Sequence, residues 1–404
     1  MSYIKDSTIK ATDSPSIDAF GRWRTSSTHT LFDSKQIFDS QDLYWNESET
    51  SGTGTATAHS TNEAATTISV SNTTAGVRVR QTFQRFNYQP GKSQLVLVTF
   101  SEFDTSTGLF KATGYYDDNN GLFFESDAGT YGVTRRTYIS GSPADTTVVQ
   151  ANWNIDPLDG AGPSGITIDF TKAQIGIIDF EWLGVGRVRM GFVIDGNIYY
   201  CHQFLNANNL TTVYMSTPNL PIRYEIRNSG AGAADDFVHI CSSVMSEGGI
   251  DDTGSIRHKD SGAISGLSTG VTYAILGIKL QSAKLGGGVK LENVSMLSST
   301  VNDMARWNLV WNPTTTGGAL ETEFANEGSS LVQTVIGSSA ASLTGGIKAG
   351  GGYFITDAPI TANPENALRL GATIGGVRDQ LFLTCTPITN NLTVYGSLTW
   401  RELS

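Results

Sequence analysis

Cysteine is scarce in this 404-residue chain: Cys201, Cys241 and Cys385 lie far apart and form no CxxC spacing. Neither a disulfide framework nor a zinc site is expected from them, and a reducing place of synthesis fits. Charge is sparse as well, with Asp, Glu, Lys and Arg at 16 % and a net charge of −11 at pH 7. Binding that neutralises phosphates needs clustered Lys and Arg, so nucleic acid is not an expected partner. No segment approaches the ~20 apolar residues of a membrane span, so no membrane partner is expected. Met1 is followed by the polar SYIKDSTIK, which is not the basic and apolar pattern of a secretory leader, and a soluble protein made in a cytoplasm is expected.

Catalytic signatures are missing too. There is no GxSxG elbow, no HExxH and no GxxxxGK phosphate loop. The run GVGRVR, Gly184 to Arg189, ends in Arg with no helix to follow, so it falls short of a dinucleotide fingerprint. His29, His59, His202, His239 and His258 show no ligand spacing; His202 and His239 can fall near each other in a sheet as structural, hydrogen-bonded groups. Oxygen donors cluster at Asp117, Asp118, Asn119, Asn120 and Gly121, at Asp235 and Asp236, and at Asp251 and Asp252. None follows the EF-hand spacing, and turns use Asp and Asn for their own backbone reasons, so no metal and no cofactor is expected.

What the chain does have is glycine, 44 residues of it, with abundant Thr, Ser and Asn and with 18 Phe, 14 Tyr and 7 Trp. That composition suits turn-rich β structure, and the length suits two domains. The clearest local signal is Ile177 to Phe204, where Asp195 and Gly196 can take the positive φ values of a two-residue turn. The hairpin it predicts pairs Phe192 with Tyr199 and Met190 with Cys201 on one face, and Val193 with Ile198 and Arg189 with His202 on the other. LVLVTF, Leu95 to Phe100, is a continuous apolar run and predicts a central strand. Ile222, Tyr224 and Ile226 alternate with Arg223, Glu225 and Arg227, and near the end Leu392, Val394, Leu398 and Trp400 share one side of a strand. The prediction is an all-β chain: two antiparallel β-sandwich, jelly-roll-like domains with an extended N-terminal arm.

The expected boundaries are 1–45 for the arm, 46–250 for the first sandwich and 251–404 for the second, the last placed by the Gly, Ser and Asp-rich stretch after Ser246. The arm shows no sustained period, yet it carries aromatics that must be buried on its own body or on a neighbouring subunit. Phe20, Arg22, Trp23, Arg24, Leu31 and Phe32 are its candidate interface residues, since Arg and Trp are enriched at interface hot spots. No catalytic residue is assigned.

Two resemblances bear on function. IIDFEWLG, Ile177 to Gly184, resembles the EIDIEFLG strand of laminarinase-type retaining glycosidases, with Asp179 and Glu181 at the positions of the assisting Asp and the acid/base Glu. The family's nucleophilic Glu falls on Ile177, so no covalent glycosyl intermediate can form and a lectin-like sandwich without hydrolysis is implied. IDAFGRWRTSSTHTLFDSKQ, EWLGVGRVRMGFVIDG and TPNLPIRYEIRN, starting at Ile17, Glu181 and Thr217, together resemble structural proteins of tailed-bacteriophage virions. The resemblance implies a non-enzymatic virion component: a capsid decoration, collar or fibre-like element, made in the bacterial host cytoplasm. Its expected partners are copies of itself, a trimer by analogy, and other virion proteins of the capsid, portal, neck or tail. The alternative is a phage adhesin that binds host-surface glycans.

Overall fold

The computed structural model describes residues 16–21, 23–24, 27–251, 253–299, 302–315, 320, 322–355, 360–362, 369–389 and 391–403. The chain is all-β and falls into two compact units, Met1–Thr82 with Tyr88–Asp251, and Phe83–Asn87 with Asp252–Ser404. The excursion of Phe83–Asn87 into the second unit follows from no composition shift in the sequence. Its anchor is the Phe83 carbonyl, which accepts the Ala372 N–H at 3.1 Å.

Fifteen strands build the first unit: β1 (Thr28–Lys35), β2 (Trp45–Gly52), β3 (Thr55–Ser60), β4 (Ala65–Val70), β5 (Ala75–Thr82), β6 (Ser93–Ser101), β7 (Leu109–Tyr116), β8 (Gly121–Asp127), β9 (Thr130–Thr137), β10 (Ala144–Val149), β11 (Gln174–Phe180), β12 (Val188–Ile194), β13 (Asn197–Phe204), β14 (Ile222–Ser229) and β15 (Asp235–Glu247). One sheet has the order β13-β12-β11-β6-β15-β4-β3, with β1 also on β15, and the other β10-β9-β8-β7-β14-β5-β2. Every pairing is antiparallel. The predicted central strand is β6, between β11 and β15.

Aromatic rings join the two sheets. Tyr224 of β14 lies 5.7 Å from Phe237 and 4.2 Å from the His239 ring, both on β15. Tyr115 of β7 meets Phe180 of β11 at 5.4 Å, and Phe124 of β8 meets Phe192 of β12 at 4.9 Å. Contacts at these separations add to the burial of large apolar rings, which is the main stabilising term here. Because Ile222, Tyr224 and Ile226 take the inner side of β14, Arg223, Glu225 and Arg227 take the outer side, as period two requires.

The β12–β13 hairpin turns at Asp195 (φ 50°) and Gly196 (φ 78°), and Val193–Ile198 and Phe192–Tyr199 pair as the turn predicts. Beyond them the register slips: Met190 pairs with His202 and Arg189 with Gln203, so the predicted Met190–Cys201 and Arg189–His202 pairs do not form. The cause is a β-bulge that inserts Cys201, whose thiol donates to the Met190 carbonyl at 3.3 Å. A Cβ on Gly191 would stand 2.2 Å from the Tyr199 carbonyl oxygen, so glycine is what lets the strands approach there.

The described part of the expected arm is laid along this unit and does not stand off it. β1 pairs with β15 from Thr28–Glu247 to Lys35–Cys241, with a register shift between Thr30 and Phe32. That irregularity breaks the period of two, which is why no strand pattern is visible in the sequence. Trp45 is 2 % exposed, and its indole N–H donates to Ser34 Oγ at 2.9 Å. Residues 1–15 lie outside the described residues.

The second unit has a sheet ordered Ser255–Asp260, Leu392–Leu403, Gly288–Ser298, Ile360–Ala362, with Ile264–Leu267 also on Leu392–Leu403. A six-stranded sheet runs Ala325–Asn326, Val332–Ile336, Tyr273–Leu280, Gln380–Pro387, Met304–Trp311, Ile347–Ile355. Leu392, Val394, Leu398 and Trp400 are all buried on one side of their strand, in a cluster with Ile275, Trp307 and Leu383. The facing sheets are close enough at Gly396 that a Cβ there would lie 2.6 Å from Ile275 Cγ2.

Candidate functional site

Asp179 sits on β11 with the side-chain direction of Ile177, on the face opposite the aromatic interior that Phe180 joins. The carboxylate is completely buried. Its Oδ2 accepts from Arg24 Nη2 at 2.7 Å, Arg189 Nε at 3.1 Å and the Tyr200 hydroxyl at 2.9 Å, with Arg189 Nη2 as a further donor. Oδ1 accepts from Ser93 Oγ at 2.8 Å. Arg189 also lies over the Tyr200 ring, 4.3 Å from its centroid. Burial and then the Asp179 charge push the Tyr200 hydroxyl above its ordinary range, so it stays a proton donor.

Residues 16–21, 23 and 24 close over this centre. Their carbonyls are read by side chains of the sheet and its adjoining turn: Arg189 Nη2 donates to Ile17 O at 2.6 Å, Arg187 Nε to Ala19 O at 3.0 Å and Arg187 Nη2 to Asp18 O at 3.2 Å. Arg24 N–H donates to Ser16 O at 2.9 Å, and Arg24 Nε lies 2.9 Å from Glu247 Oε1. Burial, opposed by Arg24, raises the Glu247 carboxyl to about 7.

As a glycosidase centre this arrangement fails at several points. Ile177, at the nucleophile's place, is fully buried in an apolar cluster with Leu95 and Tyr200. Asp179 has its oxygens committed to cationic and hydroxyl donors. Glu181 does not share the strand, as the sequence predicts, but lies in the turn after β11, where its Oε1 accepts the Arg187 N–H at 3.0 Å. The two carboxyls serve different structural purposes.

The remaining sequence candidates are placed as follows. Arg24 and Phe32 are used inside the unit, Phe32 being 7 % exposed with its ring 6.0 Å from that of Trp45. Phe20 and Leu31 are half-buried, and Trp23 is 60 % exposed. Arg22 lies outside the described residues. Asp117 Oδ1 accepts the N–H groups of Asn119 and Asn120, both at 2.8 Å, while Asp235 pairs with Lys111 and Asp251 with Lys92. Among the described residues no three His, Cys, Asp or Glu side chains are grouped to hold a metal ion.

His202 and His239 are not neighbours, since β12, β11 and β6 separate β13 from β15, a spacing of roughly 19 Å. Burial pushes the His202 imidazole down to about 4, and its Nδ1 accepts the Asn154 N–H at 3.3 Å. The unfolded chain takes up this proton near pH ~6.5, so the stabilisation from neutral His202 is full above that pH. It is lost as pH falls from there through the folded value. In urea titrations at about pH 7.5 and about pH 5, His202→Gln should therefore lose less stability between the two than the parent. An equal loss in both proteins would refute the assignment.

A second feature escapes sequence reading. Residues 36–44, between β1 and β2, expose Phe38 at 85 % together with Ile37, Leu43 and Tyr44, yet the backbone beneath them is tied down. Buried Arg80 donates from Nη2 to Gln36 Oε1 at 2.8 Å and to Ser40 O, from Nε to His239 Nδ1 at 3.1 Å, and from Nη1 to Glu47. Its guanidinium also lies 4.9 Å from the Trp45 ring centroid. Burial lowers its pKa to about 9, which still leaves it charged at neutral pH. The only hint in the sequence is apolar residues spaced through a polar stretch, a pattern that also fits burial.

No protein-family model matches this chain, and no curated protein does. Solved structures similar to it include a β-1,3-glucanase from Mycobacterium marinum (11 % identity, 54 % of this chain and 100 % of that one, TM-score 0.36). A legume lectin-like domain from Entamoeba histolytica matches at 8 % identity over 54 % of this chain and 98 % of that one, TM-score 0.32. The CBM2 module of an evolved Dit from Lactobacillus casei BL23 phage J-1 matches at 6 % identity over 55 % of this chain and 97 % of that one, TM-score 0.36. Similarity at that level carries no argument about what this chain does.

Proposed function

We propose that this chain is a non-enzymatic structural component of a tailed-phage virion that assembles with copies of itself. The observation that carries the reading is the 36–44 loop: four apolar side chains held outward by a buried arginine, an arrangement that costs solvation unless another surface covers it. Its backbone is already ordered, so docking there loses little conformational entropy. The commitment of Asp179 to Arg24, Arg189, Tyr200 and Ser93 supports a scaffold over a catalyst. The three segments that resemble phage virion proteins point the same way, and a virion location with capsid, neck or tail partners is part of the proposal.

The occupant assigned to the loop is a second copy of this chain. Light scattering on the full-length protein at ~10 μM should give a multiple of the chain mass. Phe38→Ser combined with Tyr44→Ser should shift the equilibrium toward monomer by about 100-fold or more, since central aromatic anchors dominate interface energies. Both side chains are exposed, so the fold should survive the change. A monomeric parent, or a double variant of unchanged mass, counts against the assignment.

A further inference from the structure

The outer face of the seven-stranded sheet carries a concavity of about 400 Å³, lined by Arg136, Asp145, Arg223, Glu225 and Asp118. Thr50 of β2 and Asp145 of β10 both reach it although these are the two edges of the sheet, so the sheet curls around the space. A cavity of this size is in the range of small-molecule sites.

Its charged groups are arranged in pairs. Arg136 grips Asp145 with two bonds, Nε to Oδ1 and Nη2 to Oδ2, both 2.8 Å, and its Nη1 donates to Asp117 O at 3.2 Å. Arg223 donates from Nη1 to Asp118 Oδ1 at 2.5 Å, and its Nη2 lies 3.0 Å from Glu225 Oε2. Both guanidiniums rest on buried rings, Arg136 at 5.1 Å from the Phe123 centroid and Arg223 at 5.3 Å from that of Tyr116. Arg223 Nε is buried and has no hydrogen-bond partner among the described residues, so it is Nη1 and Nη2 that carry this arginine's pairs. The groups are fixed before any ligand arrives, which lowers the entropic cost of binding.

This chemistry selects by sign. An anion would meet Asp118, Asp145 and Glu225, and a cation would meet two guanidiniums. A neutral molecule with adjacent hydroxyls can accept from an arginine and donate to a carboxylate at the same time. Val77 and Pro143 in the wall offer a small apolar surface for C–H groups. We propose that this concavity binds a neutral saccharide unit through paired hydroxyls. The site lies on the other sheet from Asp179, and it stands or falls apart from the assembly reading, because the two are read out by ligand signal and by mass.

The test is saturation-transfer NMR on the full-length protein with the methyl glycosides of glucose, galactose, mannose and N-acetylglucosamine, and with inorganic phosphate followed by phosphorus line width. The variant is Asp118→Ala with Asp145→Ala; these side chains are 72 % and 38 % exposed, so folding is retained and circular dichroism checks it. The expected result is transfer to at least one glycoside with a Kd of about 1 mM or tighter, weakened ~10-fold or more in the variant. No transfer to any of the four, equal transfer in the variant, or binding of phosphate alone overturns the proposal.

Discussion

Asp179→Ala should destabilise the first unit by about 3–5 kcal/mol, the cost of leaving a buried charge without its partner. The carboxylate is the meeting point of Arg24, Arg189, Tyr200 and Ser93, and Arg189 is itself completely buried. Without it two guanidiniums face each other in a dry site. Arg24 can fall back on Glu247, whereas Arg189 keeps the Ile17 carbonyl and the Tyr200 ring, neither of which carries a negative charge. Hydrogen exchange in β11 and β12 should accelerate with the same loss, and residues 16–24 should lose protection first, since Arg24 and Arg189 fasten them. Replacing both Asp179 and Arg189 by leucine and methionine should be milder than Asp179→Ala alone, because no unpaired charge then remains on the sheet. A single-variant loss under about 1 kcal/mol would show that the centre behaves as a solvated surface pair.

Trp45→Ala should cost about 3–5 kcal/mol, the usual range for emptying the space of a buried large aromatic. Trp45 touches Phe32, Tyr224 and His239 through ring contacts of 6.0, 6.0 and 4.5 Å, and its indole N–H holds Ser34. The loss therefore reaches β1, the Arg80 network and the 36–44 loop together. A truncation that removes residues 1–45 takes away Trp45, β1 and Arg24 at once. It should leave the first unit unfolded rather than merely detached from a partner. Urea unfolding followed by circular dichroism separates the outcomes: a truncated chain with the parent's transition would mean that these residues add nothing to the core.

The local chemistry of turns and alternation was readable in one dimension. Asp195–Gly196 announced a hairpin because few residue pairs accept two positive φ values, and LVLVTF announced an interior strand because a run apolar on both faces has no solvent side. The inward sets of β14 and of Leu392–Leu403 followed from period two. Such features depend on a residue and its immediate neighbours, so the order of amino acids is enough to specify them.

Long-range closure decided the rest. A bulge adds one residue for reasons of strand curvature, which is how Cys201 displaced the predicted Met190 and Arg189 pairs and how the irregularity near Leu31 hid β1. The docking of Arg24 on Asp179 joins groups 155 positions apart, and the outer concavity joins Thr50 to Glu225 across a curled sheet. No window of sequence holds both halves of such a contact. Whether Asp179 is a reactive acid or a buried fastener, and whether Phe38 lies inside or out, depends on which surfaces the two sheets bring together when they close.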